Sequence, residues 1–482
     1  MGKKWILFSE GGNEMIRCAT EDLCEFLSEK YGFEPEIDDL STLNSENITL
    51  YNCIIIFRYS KSSFLFDMIS SGIFNLEYTT GAYSIYAGKN IYNPEKDMIA
   101  ICGNDESGAY YGCSDFIVRY LSDVANKGED IWRKEYFFEY FEKGRIKEFS
   151  FSSHPEIKTR GIWTWGHVIY NYKKFFRNMA RLKLNEIVIW GDYAPDNAND
   201  VSDYAHKFGI KVIWGYSWGW DVNCREIFEN LNEETYKELV RHIIYTYENE
   251  YAKIKGDGIY FQTFTELSSH MINGKSVPDL AVKLVNEVSS SLLEKYPKLH
   301  IQFGLHATSV KNMTDIISKT DKRVYIVWED CGSFPYSYDS GKTEGFSETL
   351  DFTKNISCLR GEDERCGVVY KGMLKLDWSE FSHPNKYKLK ENDEEMMNSL
   401  ISTREKIWKI SDGNWCANAP LAKEITENLK GNDKTIILAL IEDGMFEYRI
   451  HYSAVIYSEI LWNPSEKTEN ILKYSHLNQW IR

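Results

Sequence analysis

The chain has 482 residues, too many for one ordinary domain, so we expect two or three folded units, one of them with a large core. Its formal net charge of −16 argues against a nucleic-acid partner and against an anionic membrane surface. No apolar run reaches the roughly 18 residues that span a bilayer, and the apolar stretch at residues 5–8 is too short for a signal peptide. We therefore expect a cytoplasmic protein.

Two residue classes in the composition bear on function. Aromatic residues make up 15% of the chain, and tryptophan and tyrosine at strand ends can stack on sugar rings, although a large core explains the composition equally well. The ten cysteines are scattered without a Cys-x-x-Cys pair, which indicates packed thiols rather than disulfides or a structural zinc site. We expect neither a metal nor a cofactor.

Residues 1–148 predict a small α/β domain. Apolar runs and helical spacing predict strands at 5–8, 50–57, 82–87 and 98–103 and helices at 13–31 and 108–121. Gly103 permits a tight exit from its strand, and Gly108 and Gly112 allow the following helix to pack closely on the sheet. The fold class of this part is therefore α/β.

From Thr159 onward, apolar runs alternate with long helical stretches, which is typical of a parallel sheet. Strands are predicted at 160–165, 185–190, 210–214, 258–264, 300–304, 324–328 and 367–374. The eighth strand is the least defined: residues 414–417 are one candidate, and residues 435–440 are interpreted as helical. The sequence thus predicts a (β/α)8 TIM barrel over residues 149–420, with a C-terminal helical segment, 421–482, packing on it.

The active site of such a barrel lies at the carboxyl ends of its strands. Aromatic or polar residues follow the predicted strands in order: Trp163, Trp165 and His167; Trp190 and Asp192; Trp214 and Trp218; Gln262 and Glu266; His306; Trp328, Glu329 and Asp330; and Asp377. This density of tryptophan beside carboxylates favours a sugar-binding site. Four of the tryptophans recur at equivalent positions, so a stacked layer inside the barrel is an equally good interpretation of Trp163, Trp190, Trp214 and Trp328.

Hydrolysis of a glycosidic bond needs two carboxyl groups, one as acid and one as base or nucleophile. Glu266 is the best acid candidate because it follows an apolar strand, and a partly desolvated carboxyl group has a raised pKa. Glu329 or Asp330 is the expected partner, with Asp377 in reserve. The separation of the pair decides between retention and inversion of the anomeric configuration.

The strands at 82–87 and 98–103, followed by Gly108-Ala-Tyr-Tyr-Gly112, resemble the N-terminal accessory domain of β-hexosaminidases and α-glucuronidases, which precedes a (β/α)8 barrel. Arg160-Gly161 is similar to the barrel opening of the β-hexosaminidases. The resemblance implies that Arg160 binds sugar hydroxyls and that Glu266 is the acid. Acetamido-assisted hexosaminidases carry an aspartate before that glutamate, whereas this chain has Thr265. The arrangement is therefore closer to the α-glucuronidases, unless Asp192 or another strand-end acid supplies the function.

We therefore expect a glycoside hydrolase that removes a terminal uronic acid or N-acetylhexosamine from small oligosaccharides. Its partner would be the oligosaccharide or glycoside substrate, and a homodimer is compatible with the sequence. A uronate would need a basic partner, for which Arg160, Lys371 and Lys375 are candidates.

Two alternatives stay open. One is a catalytically inactive carbohydrate-binding barrel with the same strand-end residues. The other is a metal-dependent hydrolase that uses His167, His306 and Asp192, which is less favoured because the sequence has no His-x-His ligand pair.

Overall fold

The computed structural model describes residues 4–59, 63–122, 146, 148–219, 230–266, 271–272, 274–306, 312–329, 346–361, 364–373, 386–441 and 444–478. The strands, in chain order, are β1 Trp5–Ser9, β2 Glu36–Asp39, β3 Asn52–Arg58, β4 Tyr83–Asn90, β5 Asn93–Gly103, β6 Phe149–Ser153, β7 Thr159–Trp165, β8 Glu186–Trp190, β9 Lys211–Ser217, β10 Gly258–Gln262, β11 Met271–Ile272, β12 Lys275–Ser276, β13 His300–Leu305, β14 Tyr325–Trp328, β15 Cys366–Met373 and β16 Ile436–Ile441.

The α-helices are α1 Glu14–Tyr31, α2 Asn47–Leu50, α3 Ser63–Ser70, α4 Glu106–Asp115, α5 Tyr172–Arg181, α6 Ala198–His206, α7 Glu233–Thr246, α8 Val277–Lys295, α9 Thr314–Ile317, α10 Phe346–Ser357, α11 Glu394–Glu427, α12 Met445–Tyr448, α13 Tyr452–Trp462 and α14 Thr468–Leu477. Helix α4 continues as a π-helical turn, Phe116–Ser122. Within the described part of the chain, none of these helices combines the length and the apolarity that crossing a membrane requires.

The first six strands form one sheet in the order β2-β1-β3-β5-β4-β6. The predicted close packing of α4 on this sheet is confirmed, because a Cβ at Gly108 would lie 2.1 Å from the carbonyl oxygen of Ala82 and one at Gly112 would lie 2.9 Å from Ile101. Strand β6 begins at Phe149 and pairs with β4, so the first sheet extends past residue 148.

The remaining long strands close into an eight-stranded barrel in the order β7-β8-β9-β10-β13-β14-β15-β16, and β16 pairs with β7. All eight adjacent pairs are parallel, so the predicted TIM barrel is confirmed. The prediction for the eighth strand was wrong. Residues 414–417 lie inside α11, and residues 435–440, expected to be helical, contribute β16. The barrel therefore extends beyond residue 420. The prediction failed because Ile436–Ile441 is a short buried apolar run, and the length of such a run cannot distinguish a strand from a helix.

Side chains along each barrel strand alternate between the barrel interior and the surrounding helices. The interior cluster consists of Trp163, Trp165, Val188, Trp190, Ile213, Tyr260, Val327, Val369, Ile436, Leu438 and Leu440. The other set, to which Trp214, Phe261 and Trp328 belong, packs in the main core with the helices. This alternation decides which strand-end residues face the mouth of the barrel.

At the amino-terminal end of the barrel, four buried charges join three parts of the chain. Nζ of Lys183 lies 2.8 Å from Asp115 of α4 and 2.7 Å from Glu459 of α13. Arg119 contacts the same two carboxylates at 2.7 and 2.6 Å. Burial alone would raise the pKa of Asp115, but Arg119 and Lys183 outweigh it and lower that pKa overall. Each buried charge is therefore matched by an opposite one, as burial of ions requires.

Another buried carboxylate at this end, Glu186, forms no ion pair with a described residue. Glu186 begins β8 inside the barrel and accepts a 2.8 Å hydrogen bond from Nε2 of Gln302, which also lies 2.9 Å from Nε2 of His300. Burial raises the pKa of Glu186 to about 7, even though the hydrogen bond from Gln302 and the charge of Lys211 act in the opposite direction. Burial lowers the pKa of His300 to about 4.

We expect Glu186→Gln to stabilise the protein at pH 8 but not at pH 5. Because the folded-state pKa of Glu186 is raised, its protonation stabilises the fold at low pH, and this contribution is lost as the pH rises toward 7. The variant is neutral throughout, so its free energy of unfolding relative to wild type should increase from pH 5 to pH 8 by up to about 3 kcal/mol. Urea denaturation at both pH values measures this difference. The exposed Glu238→Gln is the control, and an equal effect of Glu186→Gln at both pH values would contradict the prediction.

Candidate active site

Glu329 is a buried carboxylate at the mouth of the barrel. It directly follows β14, its backbone N–H donates to the carbonyl of Leu305 at 3.0 Å, and the residue is 4% exposed. Since Trp328 packs among the helices, the alternation along the strand turns Glu329 toward the barrel interior. A carboxylate at this depth needs donors or cations to remain ionised.

Neighbouring strands supply those groups. From β10, the hydroxyl of Tyr260 donates to Oε1 of Glu329, and Nε2 of Gln262 lies 2.7 Å from both carboxylate oxygens. Nε2 of His306, just after β13, lies 2.8 Å from Oε2. Nζ of Lys371 on β15 lies 3.9 Å from the same oxygen. Strands on both sides of β14 therefore hold one carboxylate in a fixed orientation.

The charge state of Glu329 follows from this environment. Burial alone would raise its pKa, but His306, Lys371 and the Tyr260 hydroxyl outweigh burial and lower the pKa to about 2. Glu329 is therefore ionised at neutral pH. It cannot act there as a proton donor, but it can act as a base, a nucleophile or an electrostatic stabiliser of positive charge.

Gly304 on β13 leaves the space that this network needs. A Cβ at Gly304 would lie 2.2 Å from Oε1 of Glu329 and 2.5 Å from the Tyr260 hydroxyl oxygen. Real Cβ atoms do not approach other atoms so closely, so a larger residue would displace the carboxylate or the phenol. Neither Gly304 nor Tyr260 was predicted from the sequence as a site residue. The signal for Tyr260 was its two-residue spacing from Gln262, which places both side chains on one face of the strand.

Three of the predicted tryptophans lie inside the barrel and connect to this network through Tyr260. Trp163 stacks on Trp190 with centroids 5.9 Å apart and meets Trp165 edge-on at 4.9 Å. Both Trp163 and Trp190 meet the ring of Tyr260 edge-on. Trp165 and Trp190 end their strands at the mouth, while Trp163 lies one layer deeper, in a stacked interior layer.

The other three tryptophans do not face the mouth. Trp214 donates from its indole nitrogen to the carbonyl of Lys255, Trp218 stacks on Phe261 with centroids 3.5 Å apart, and Trp328 packs edge-on against Phe352. All three are buried among the helices, so their predicted roles in substrate binding were wrong. In the barrel register Trp190 pairs with Gly215, so Trp214 is offset from Trp190 by one residue. An offset of one residue turns a side chain to the opposite face of the sheet, here toward the helices.

Arg160 also lies away from the mouth. It is at the amino-terminal end of β7, where its guanidinium donates to the carbonyls of Ile157 and Lys183 at 2.6 to 2.9 Å and lies 5.2 Å from the Trp462 ring centroid. The predicted contact of Arg160 with sugar hydroxyls was therefore wrong. An arginine at the start of a strand is a barrel length away from the carboxyl ends that form the site.

Of the remaining predicted residues, Glu266 is described by its backbone alone. The backbone of Glu266 lies in the short 3-10 helix Phe264–Glu266, directly after the strand that carries Tyr260 and Gln262. Asp330 and Asp377 lie outside the described residues, as does Lys375. Glu266 and Glu329 thus follow two barrel strands, β10 and β14, that are separated by β13 alone.

His306, His167 and Asp192 are not gathered into one cluster. His306 pairs with Glu329, whereas half-buried His167 and Asp192 follow β7 and β8. Among the residues that the structure describes, no three histidine, cysteine, aspartate or glutamate side chains group closely enough to hold a metal ion.

No protein-family model matches the sequence, and no curated protein sequence matches it. Among solved structures, a Bacteroidetes-affiliated GH5 cellulase aligns with a TM-score of 0.40 at 9% identity over 65% of this chain and 94% of its own. A β-galactosidase from Marinomonas ef1 gives 0.40 at 9% identity over 65% and 61% of the two chains. GH5_18 from Streptomyces cattleya gives 0.37 at 8% identity over 65% and 82%. Likenesses of this size do not assign an activity.

Gly304→Ala should destabilise the protein because the added methyl group would collide with Glu329 and Tyr260. We expect a loss of about 1–3 kcal/mol in the free energy of unfolding, measured by chemical denaturation. Gly413→Ala is the matched control, since Gly413 lies in α11 with no atom within 4 Å of its added Cβ. That change should stabilise the helix by up to about 1 kcal/mol. Equal stability of Gly304→Ala and wild type would mean that the carboxylate is not confined as described.

Proposed function

We propose that the chain is a glycoside hydrolase that removes a terminal uronic acid or N-acetylhexosamine from small oligosaccharides. The observation that carries the proposal is the ionised, buried carboxylate of Glu329 at the mouth of the barrel, connected through Tyr260 to Trp190. A fixed negative charge stabilises the oxocarbenium-like transition state of glycoside cleavage, and an aromatic face is a platform for a sugar ring.

The two carboxyl groups would divide the reaction between them. Glu266 would protonate the leaving oxygen, since its backbone directly follows the apolar strand β10 at the carboxyl end of the barrel. Glu329 would carry the negative charge, because its pKa of about 2 suits a nucleophile or a base and excludes an acid. Such a division, with one carboxyl group protonated and the other ionised, is what glycosidases require.

The charges around Glu329 bear on the substrate class. Two basic side chains, His306 and Lys371, flank Glu329 at the mouth, 2.8 and 3.9 Å from its Oε2. A lysine at the mouth can pair with a substrate that brings its own negative charge, such as a uronic acid. An N-acetylhexosamine is the second candidate, for which the acetamido-assisted route would need Asp192 or another strand-end acid to supply the function of the aspartate that Thr265 replaces.

The proposal is tested with aryl glycosides whose leaving groups differ in acidity. Glu266→Gln should slow hydrolysis of a phenyl glycoside by about 10²–10⁴-fold and that of a dinitrophenyl glycoside far less, because a good leaving group needs no proton. Glu329→Gln should slow both substrates. The measurement is kcat/KM for phenyl and dinitrophenyl glucuronides and N-acetylglucosaminides, with Glu238→Gln as the control.

Each alternative result has a clear meaning. Equal losses on both leaving groups for Glu266→Gln would remove the acid role from Glu266. Unchanged activity of Glu329→Gln would overturn the role of the buried carboxylate. A wild-type protein that binds these sugars but cleaves none would be the carbohydrate-binding barrel instead.

Lys371→Met distinguishes the two substrate classes. If Lys371 binds a uronate carboxylate, the variant should lose at least about tenfold in kcat/KM on the aryl glucuronide relative to its loss on the uncharged aryl N-acetylglucosaminide. The neutral substrate is the internal control for any general damage to the site. Parallel losses on both substrates would assign Lys371 to the support of Glu329 rather than to recognition of the uronate.

A further inference from the structure

Residues 386–391, here the crossing segment, lie after β15 but contact the loops that follow β7 and β8. The carbonyl of Tyr387 accepts from Asp196 N at 3.0 Å. Leu389 exchanges hydrogen bonds of 2.9 and 3.0 Å with the side-chain amide of Asn197. The crossing segment is therefore anchored to the loop after the second barrel strand.

The same segment is also anchored to the loop after the first barrel strand. Lys390 accepts from Tyr172 N at 2.9 Å and donates to the carbonyl of Ile169 at 3.4 Å. The Glu391 carboxylate accepts from the Tyr172 hydroxyl at 3.2 Å and lies 2.8 Å from Nζ of Lys173. Contacts on both sides thus fix the backbone that carries Tyr387.

The ring of Tyr387 fills the space beside two glycines at the ends of β7 and β8. A Cβ at Gly166 would lie 2.4 Å from the ring and 2.5 Å from its hydroxyl oxygen, and one at Gly191 would lie 2.6 Å from the same oxygen. Gly166 directly follows Trp165, and Gly191 directly follows Trp190. The half-buried phenol therefore contacts the backbone that carries both mouth tryptophans.

Packing rather than hydrogen bonding holds the phenol in place. Among the described residues, the Tyr387 hydroxyl makes no hydrogen bond, and the charge of Asp192 acts on it. Burial raises the pKa of Tyr387, and Asp192 raises it further, so the phenol stays neutral at physiological pH. Its contribution to the neighbouring strand ends therefore depends on the shape of the ring.

We propose that Tyr387 is a positioning residue for the sugar site: its ring fixes Gly166 and Gly191, and through them the orientation of Trp165 and Trp190. The role of these tryptophans as a sugar platform rests on the proposed function, whereas the contact of ring and glycines does not. Small displacements of groups that orient a substrate lower the rate strongly, so a residue outside the reacting centre can control activity.

A double-mutant cycle between Tyr387→Ala and Gly166→Ala tests the contact. Each single change should disturb the tryptophans, one by removing the ring and the other by displacing it. The double variant should be no worse than either single variant, because the new methyl group then occupies vacated space. Tyr387→Phe keeps the ring and should match wild type. Exposed Tyr245→Ala is the control for loss of a tyrosine.

Two measurements are made on each variant. Near-UV circular dichroism reports the packing of the tryptophans without any substrate, and KM and kcat are measured on phenyl glucuronide and phenyl N-acetylglucosaminide. We expect altered near-UV spectra and about tenfold higher KM for both single variants, with far-UV spectra unchanged. Tyr387→Phe should restore both the spectrum and KM.

Additive effects of Tyr387→Ala and Gly166→Ala, or a Tyr387→Phe variant as damaged as Tyr387→Ala, would overturn the inference. So would near-UV spectra identical to wild type in both single variants. If wild type hydrolyses neither substrate, the proposed function fails, but the spectroscopic cycle still decides whether Tyr387 positions the two strand ends. The two failures are therefore distinguishable.

Discussion

Closure of eight parallel strands is the constraint on which the rest of this structure depends. In a closed barrel every strand is buried on both faces, so alternate side chains must enter either the interior or the layer of helices. Trp163 and Trp190 fall on one side of this division, and Trp214 and Trp328 on the other. The same alternation brings Tyr260 and Gln262 of β10 together with Glu329, which follows β14, in one network.

Three buried carboxylates show how the surroundings of an acid decide its state. Asp115 lies between two cations, Lys183 and Arg119, and its pKa is lowered. Glu329 has His306, Lys371 and uncharged donors around it, and its pKa falls to about 2. Glu186 has the Gln302 amide as its hydrogen-bond donor, and burial raises its pKa to about 7. The barrel thus holds an ionised carboxylate at its mouth and a carboxyl group that titrates near neutral pH at its base.

The two ends of the barrel have different roles: one attaches the barrel to the rest of the chain, and the other presents the strand-end residues. At the amino-terminal end, Lys183 connects the barrel to α4 and to α13 through buried ion pairs, and Arg160 lies over the ring of Trp462 in α13. Lys183 adopts a positive φ of 60°, an unfavourable conformation for a side chain of its size, which its two ion pairs hold in place. At the carboxyl-terminal end, strand-end residues are available for chemistry. Rigid attachment at one end leaves the loops of the other free to vary.

The local sequence determined the barrel, seven of its strands and the acidic, aromatic character of the strand ends, because apolar runs and strand–helix alternation are local patterns. It also singled out Glu329. Only the tertiary structure decided that Arg160 lies at the opposite end, that Trp214, Trp218 and Trp328 face the helices, and that Ile436–Ile441 closes the barrel. The contacts of Glu329 with Tyr260 and His306, and of Tyr387 with Gly166, join residues distant in sequence. Such contacts depend on strand register and chain crossing, which no local pattern encodes.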